Sequence, residues 1–276
     1  MFVSSAAFPS VIETEMVNDP SLYTSIPQAI LADRGSRTMS RPDLVLVTGA
    51  MVGASSWRPT ADRLRASGWR VHVPDVLATS GTLPPWRELS LHYAGLLSPE
   101  APPILVGHSL ATTVVADLVA RMPVRGLTMV DGETPPESGP VAPGRDSFRQ
   151  FVASLADRDG RLPRWSDWWR DHPRRPFTGI DELANDADAF AMFEKDQPRV
   201  SWAWFEDMID LAPWAHIPSG YIQTSAFYDH AADEAQRRGW PVVRIKGTHL
   251  HPTLQPDETA AAIQEICGQF VGNNRD

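Results

Sequence analysis

Short apolar runs with no polar face recur along this chain, and they constrain its fold more than any other feature. A strand-length run of that kind must be buried on both sides, as in a parallel sheet covered by helices. Three occur in the first half, DLVLVTG (43–49), PPILVGH (102–108) and VRGLTMVD (124–131), and WRVHVPD (69–75) reads as a further strand. Between them lie helix-like segments, SSWRPTADRLRASG (55–68), PWRELSLHYAGLL (85–97) and LATTVVADLVARM (110–122). Ser56 is suited to cap the first of these and Gly68 to end it. The alternation resumes with SGYIQTS and WPVVRIKG as strands, and with DHAADEAQRRG and PDETAAAIQEICGQF as helices. The expected fold is therefore α/β, a mostly parallel sheet with helices on both faces.

Residues 133–215 interrupt the pattern and contain no convincing strand. Trp165, Trp168, Trp169, Phe177, Trp202, Trp204 and Trp214 lie there among helical and proline-rich pieces. An insertion of this size reads as a helical cap over the C-terminal edge of the sheet, where such folds bind ligands. The expected organisation is an N-terminal extension over 1–40, a core made of 41–132 and 216–276, and a cap over 133–215. A short helix is expected at IPQAILAD (26–33) in the extension.

The formal charge of −9 argues against a general nucleic-acid binder. Cys267 is the single cysteine, so no internal disulfide framework exists, and its apolar neighbours suggest a buried thiol. No apolar run is long enough to span a membrane. The first residues lack a basic n-region and a proper apolar core, which leaves a cytoplasmic location as the default expectation. GAMVG is neither a phosphate-binding loop nor a dinucleotide fingerprint, and HExxH is absent, so no cofactor or metal is expected. The expected partner is a small molecule, apolar or aromatic in view of the tryptophans. Oligomeric state is not legible.

The candidate chemistry centres on GHSLA (107–111). It departs from the G-x-S-x-G pattern only in having Ala111 for the last glycine. A strand running straight into a helix puts Ser109 at a sharp bend, where small neighbours allow close approach and the helix N-terminus favours negative charge. A base is expected late, in the loop after the last strand, where IKGTHLHP offers His249 and His251; His249 follows the strand most directly. Oxyanion donors are expected from the amide after the nucleophile, Leu110, and from the loop after the first strand, Ala50.

With VLVTGAMVGASSW, VPDVLATSGT, ILVGHSLA, IPSGYI and IKGTHLHPTLQPDE, the sequence resembles the α/β-hydrolase superfamily, and within it the methylesterase and hydroxynitrile-lyase branch. The resemblance covers roughly residues 43–131 and 217–271. It implies Ser109 as nucleophile, His249 as base, and Ala50 and Leu110 as amide donors. Thr48 stands where that branch usually has histidine, a place from which it would contact substrate. The usual acid follows the penultimate strand, but YIQTSAFYDH has Ser225 or Tyr228 near that position and Asp229 slightly beyond. Asp131, at the end of VRGLTMVD, competes with Asp229, with Glu133 or no acid as further alternatives. The expected activity is cofactor-free hydrolysis of an ester, lactone or related acyl bond. The alternative is a lyase, epimerase or cyclase of the same fold, using the histidine as general acid/base.

Overall fold

The computed structural model describes residues 41–271. The extension expected over 1–40, with its helix at 26–33, lies outside the described residues. Among the described residues there are eight strands: β1 (Leu44–Val47), β2 (Val71–His72), β3 (Ile104–His108), β4 (Gly126–Val130), β5 (Gly139–Val141), β6 (Ile209–Leu211), β7 (Ser219–Gln223) and β8 (Val242–Arg244). Six form one sheet in the order β2-β1-β3-β4-β7-β8, with every neighbouring pair parallel. The run at 69–75 yields only two residues of strand. It lies at the sheet edge, and Pro74 has no N–H to extend a ladder.

Helices α1 (Arg58–Ala66), α2 (Val76–Ser80), α3 (Leu89–Gly95) and α4 (Ala111–Leu118) connect the first four strands. The insertion carries α5 (Asp146–Ser154), α6 (Trp165–Trp168), α7 (Arg175–Thr178), α8 (Ile180–Leu183) and α9 (Ala187–Lys195). Then α10 (Asp229–Arg237) joins β7 to β8, and α11 (His251–Leu254) and α12 (Pro256–Val271) close the chain. Among the described residues, no helix is long and apolar enough to cross a membrane.

Strand residues alternate between two buried layers, as the pleat requires. Leu44, Leu46, Ile104, Val106, Val130 and Ile222 pack with Trp57, Leu64, Ile263 and Phe270 of the α1 and α12 side. Val45, Val47, Leu105, Leu127, Met129 and Tyr221 pack with Leu89, Val114, Leu118 and Ala232 of the α3, α4 and α10 side. Both faces are thus covered, which is why the strands read as continuous apolar runs. Cys267 is fully buried against Thr128, and burial pushes its thiol up to about 12.

Two local expectations need correction. Ser56 does not cap α1: residues 54–56 form a tight turn in which Ser56 Oγ donates to the Gly53 carbonyl (2.8 Å). Trp57 takes the cap position instead, with its indole N–H donating to the Val47 carbonyl (3.1 Å). The insertion also is not free of strand, because β5 and β6 pair antiparallel across some seventy residues of sequence. Each is three residues long and β5 contains Gly139 and Pro140, so neither has a visible period; the pairing exists only once the chain is folded.

The β3–α4 junction positions the site. A Cβ on Gly107 would sit 2.5 Å from the Ala111 carbonyl oxygen and 2.9 Å from Val115 Cγ2, so α4 approaches β3 closely only because that side chain is missing. Gly107→Ala is expected to destabilise the protein by about 1–3 kcal/mol, the usual cost of overpacking. Urea unfolding checks this; an unchanged midpoint would mean that α4 is not packed against β3 in this way.

Candidate active site

Strand β3 ends at His108 and α4 begins at Ala111, leaving Ser109 and Leu110 to make the turn. Ser109 has φ +59° and Asp131, just past β4, has φ +43°; among the described residues they are the only non-glycines with positive φ. Left-handed backbone costs an L-residue about 1–2 kcal/mol and tends to persist where a site requires it. The turn is tied down by the Ser109 N–H, which donates to the Val130 carbonyl (2.9 Å). The loop after β1 lies directly against the serine: a Cβ on Gly49 would be 3.1 Å from Ser109 Cβ. Ala111 is fully buried, so its methyl group is accommodated where the pattern has glycine.

Asp131 is completely buried, and its carboxylate accepts four hydrogen bonds. Oδ1 takes the N–H groups of Thr224 (2.9 Å) and Ser225 (2.7 Å). Oδ2 takes the Ser225 hydroxyl (2.8 Å) and His249 Nδ1–H (2.7 Å). A carboxylate only accepts, so this contact fixes the histidine tautomer and leaves Nε2 as the free base. Nε2 has no partner among the described residues, and His249 faces the same cavity as Ser109. The Asp131–Gly132 turn is held by Tyr221, whose hydroxyl donates to the Gly132 carbonyl (2.6 Å).

The His249 ring is enclosed by other rings. His108 lies 4.5 Å away, Tyr228 5.6 Å, Phe177 5.8 Å and Trp165 6.0 Å between centroids. His108 Nε2–H donates to the His249 carbonyl (2.9 Å). Burial, helped by the neighbouring His249, holds the His108 imidazole well below its ordinary range, so it remains neutral. The loop is also held from the insertion side, where the His249 N–H donates to the Phe177 carbonyl (2.7 Å) and the Leu250 N–H to that of Thr178 (3.0 Å). Sequence reasoning passed over His108 because it occupies a variable position of the motif. Only its place beneath the histidine loop reveals its use.

The other sequence candidates fall in different places. Neither the Ala50 nor the Leu110 amide has an acceptor among the described residues, although both border the serine turn or the loop against it. Thr48 does not line the cavity; its hydroxyl shares a 2.9 Å hydrogen bond with Tyr93 in the core, where burial pushes the tyrosine up to about 12. Asp229 is exposed, opens α10 and accepts from Gln223 Nε2, away from His249. Glu133 pairs with Arg145 (2.6 Å) and His230 (2.8 Å) at the cavity rim. His251 pairs with Glu258 (3.1 Å). Among the described residues, no group of three or more His, Cys, Asp or Glu is arranged to hold a metal ion.

Ser109 and His249 open onto a cavity of about 600 Å³, walled on the insertion side by Phe148, Trp165, Trp169 and Phe177. A second chamber of about 20 Å³, roughly one water's worth, lies beside Gly49, Met51 and Val52 and shares Ser109 and His249 with the first. The tryptophans divide by function. Trp165 and Trp169 line the cavity, whereas Trp168, Trp204 and Trp214 are buried with their indole N–H groups spent on the carbonyls of Pro163, Pro84 and Pro136.

His108 has a measurable consequence. A histidine kept neutral when folded protonates more readily when unfolded, so acid favours the unfolded chain. As pH falls below about 6.5, the wild type should lose up to about 1.4 kcal/mol per pH unit relative to His108→Gln, which keeps an N–H donor. Urea unfolding from about pH 7.5 to 5 measures the difference; parallel curves would show that His108 is not the buried neutral group.

Comparison with known proteins completes the picture. The family model described as the alpha/beta hydrolase family matches residues 44–262. A search of curated proteins found no match. Among solved structures, an extracellular α/β-hydrolase from a Paenibacillus species, described as homologous in structure and function to tobacco salicylic acid binding protein 2, is 18% identical. It aligns over 82% of this chain and 98% of its own, with a TM-score of 0.63. The pyrethroid hydrolase PytH is 20% identical over 84% of this chain and 99% of its own (TM-score 0.60). Tomato methylketone synthase I, complexed with 2-tridecanone, is 15% identical over 83% of this chain and 99% of its own (TM-score 0.60). At such identities the structural likeness speaks to the fold, and the family match spans most of the sequence. The chain belongs to the alpha/beta hydrolase family.

Proposed function

We propose that this protein is a serine hydrolase cleaving an ester, lactone or related acyl bond of a small, largely apolar or aromatic molecule. The observation that carries this reading is the buried 2.7 Å contact between His249 Nδ1–H and Asp131, on a ring that shares its cavity with a serine held at positive φ. In this reading His249 Nε2 takes the proton of Ser109 as Oγ attacks the acyl carbon. Asp131 keeps the tautomer and stabilises the imidazolium. The Ala50 and Leu110 amides, unpaired among the described residues, receive the oxyanion. The imidazolium then protonates the leaving oxygen, and a water activated by His249 releases the acyl group from Ser109.

Residues 133–215 act as a cap on the core formed by 41–132 and 216–276. Phe148, Trp165, Trp169 and Phe177 give the cavity an apolar wall suited to flat or bulky substrates. The pyrethroid hydrolase among the structural neighbours is, by its name, a hydrolase, which agrees with this chemistry.

The test is intact mass after reaction with a fluorophosphonate probe, which labels an activated serine. Wild type is expected to gain one adduct, and Ser109→Ala and His249→Ala none. On any ester found to be turned over, Ser109→Ala should lower kcat by roughly ten-thousand-fold or more. A folded wild type that takes no label, from this or smaller probes, would overturn the hydrolase reading in favour of non-hydrolytic chemistry at the same histidine.

A further inference from the structure

Tyr228 has no part in the mechanism above, yet it stacks on His249 and shares a cavity with Ser109. It closes the short turn Ala226–Tyr228 after β7 and lines the large cavity. Its ring stacks on His249, with centroids 5.6 Å apart and planes inclined by 28°, and meets Phe227 edge-on at 5.0 Å. Its phenol and the Ser109 hydroxyl border the same cavity. The cavity is therefore lined by two hydroxyls, one on the serine and one on an aromatic ring stacked against the histidine.

We infer that Tyr228 is a further catalytic residue, a hydrogen-bond donor that serves the leaving-group oxygen of the substrate. The inference rests on the serine-hydrolase reading. When Oγ bonds to the acyl carbon, the phenol donates to the oxygen on which charge develops as the scissile C–O bond breaks. His249 delivers to that oxygen the proton it took from Ser109, and Tyr228 keeps its own throughout. Its surroundings suit that role. Burial, with Asp131 and Glu133 near it, pushes the phenol far above its ordinary range, outweighing the opposing influence of Ser109 and Arg145, so it acts as a donor and never as a phenolate. A donor of this kind matters most when the departing oxygen is basic and least when it is already a stable anion.

The experiment compares Tyr228→Phe with wild type on acetate esters of graded leaving groups: ethyl, trifluoroethyl, phenyl and p-nitrophenyl acetate. The ratio kcat/KM reports acylation, the step in which the leaving group departs. The loss is expected to be about 10–100-fold on ethyl acetate and at least ten times smaller on p-nitrophenyl acetate, the range for one donor to a developing oxyanion. Equal losses across the series, or none, would overturn the inference and make Tyr228 a packing residue. Fluorophosphonate labelling of wild type separates the two claims. Without it the hydrolase reading fails, whereas a labelled wild type with a flat series sinks only the role of Tyr228. Should the variant not fold, a crystal of wild type carrying an alkyl phosphonate on Ser109 decides. The phenol oxygen is expected within about 3.2 Å of the adduct's alkoxy oxygen, and a gap beyond about 4 Å overturns the inference.

Discussion

A fully buried carboxylate organises this molecule's C-terminal sheet edge. An ionised group without exposure is tolerated only when its lone pairs are met by donors. Asp131 obtains them from Thr224 and Ser225 after β7 and from His249 after β8. Three chain segments far apart in sequence are drawn to one point, and the positive φ of Asp131 is sustained there because its surroundings over-determine it. Breaking the cluster by removing one partner would strand a charge in the interior, so its parts depend on one another.

The segment between β4 and β7 also holds the loops near Ser109. It grips the histidine loop through the carbonyls of Phe177 and Thr178. At its other end Asp196 accepts the Ser55 N–H (3.1 Å), where the loop after β1 turns back towards α1. A Cβ on Gly53 would fall 2.2 Å from Asp196 Cβ, so this contact requires glycine there. The same segment that supplies the aromatic wall thus also anchors the two loops flanking Ser109.

Legibility in the sequence follows the range of the interactions involved. β1, β3, β4 and β7 announced themselves because burial on both faces imposes a local, continuous apolar pattern. Ser109 and His249 were legible because a strand-to-helix turn and a loop after the last strand are chain-order features. β5 and β6 were missed because three-residue strands owe their existence to each other. Ser56 misled because a capping residue type was available, but the tight turn at 54–56 used its hydroxyl first. Thr48 was expected at the substrate and instead meets Tyr93, a partner 45 residues away that no local pattern indicates.

The sequence by itself determined the parallel α/β class and the position of the strained serine turn, since each depends on neighbours along the chain. Only the tertiary structure decided which carboxylate meets the histidine. Asp131 and Asp229 both follow strands and looked interchangeable on paper. Asp131 lies in the interior beside β7, where buried amides and the imidazole are its available partners, while Asp229 starts a helix facing solvent. The same is true of His108 and Tyr228, whose ring contacts with His249 arise from the meeting of β3, the turn after β7 and the loop after β8. Long-range packing brings those elements together, and it leaves no periodic trace in the order of residues.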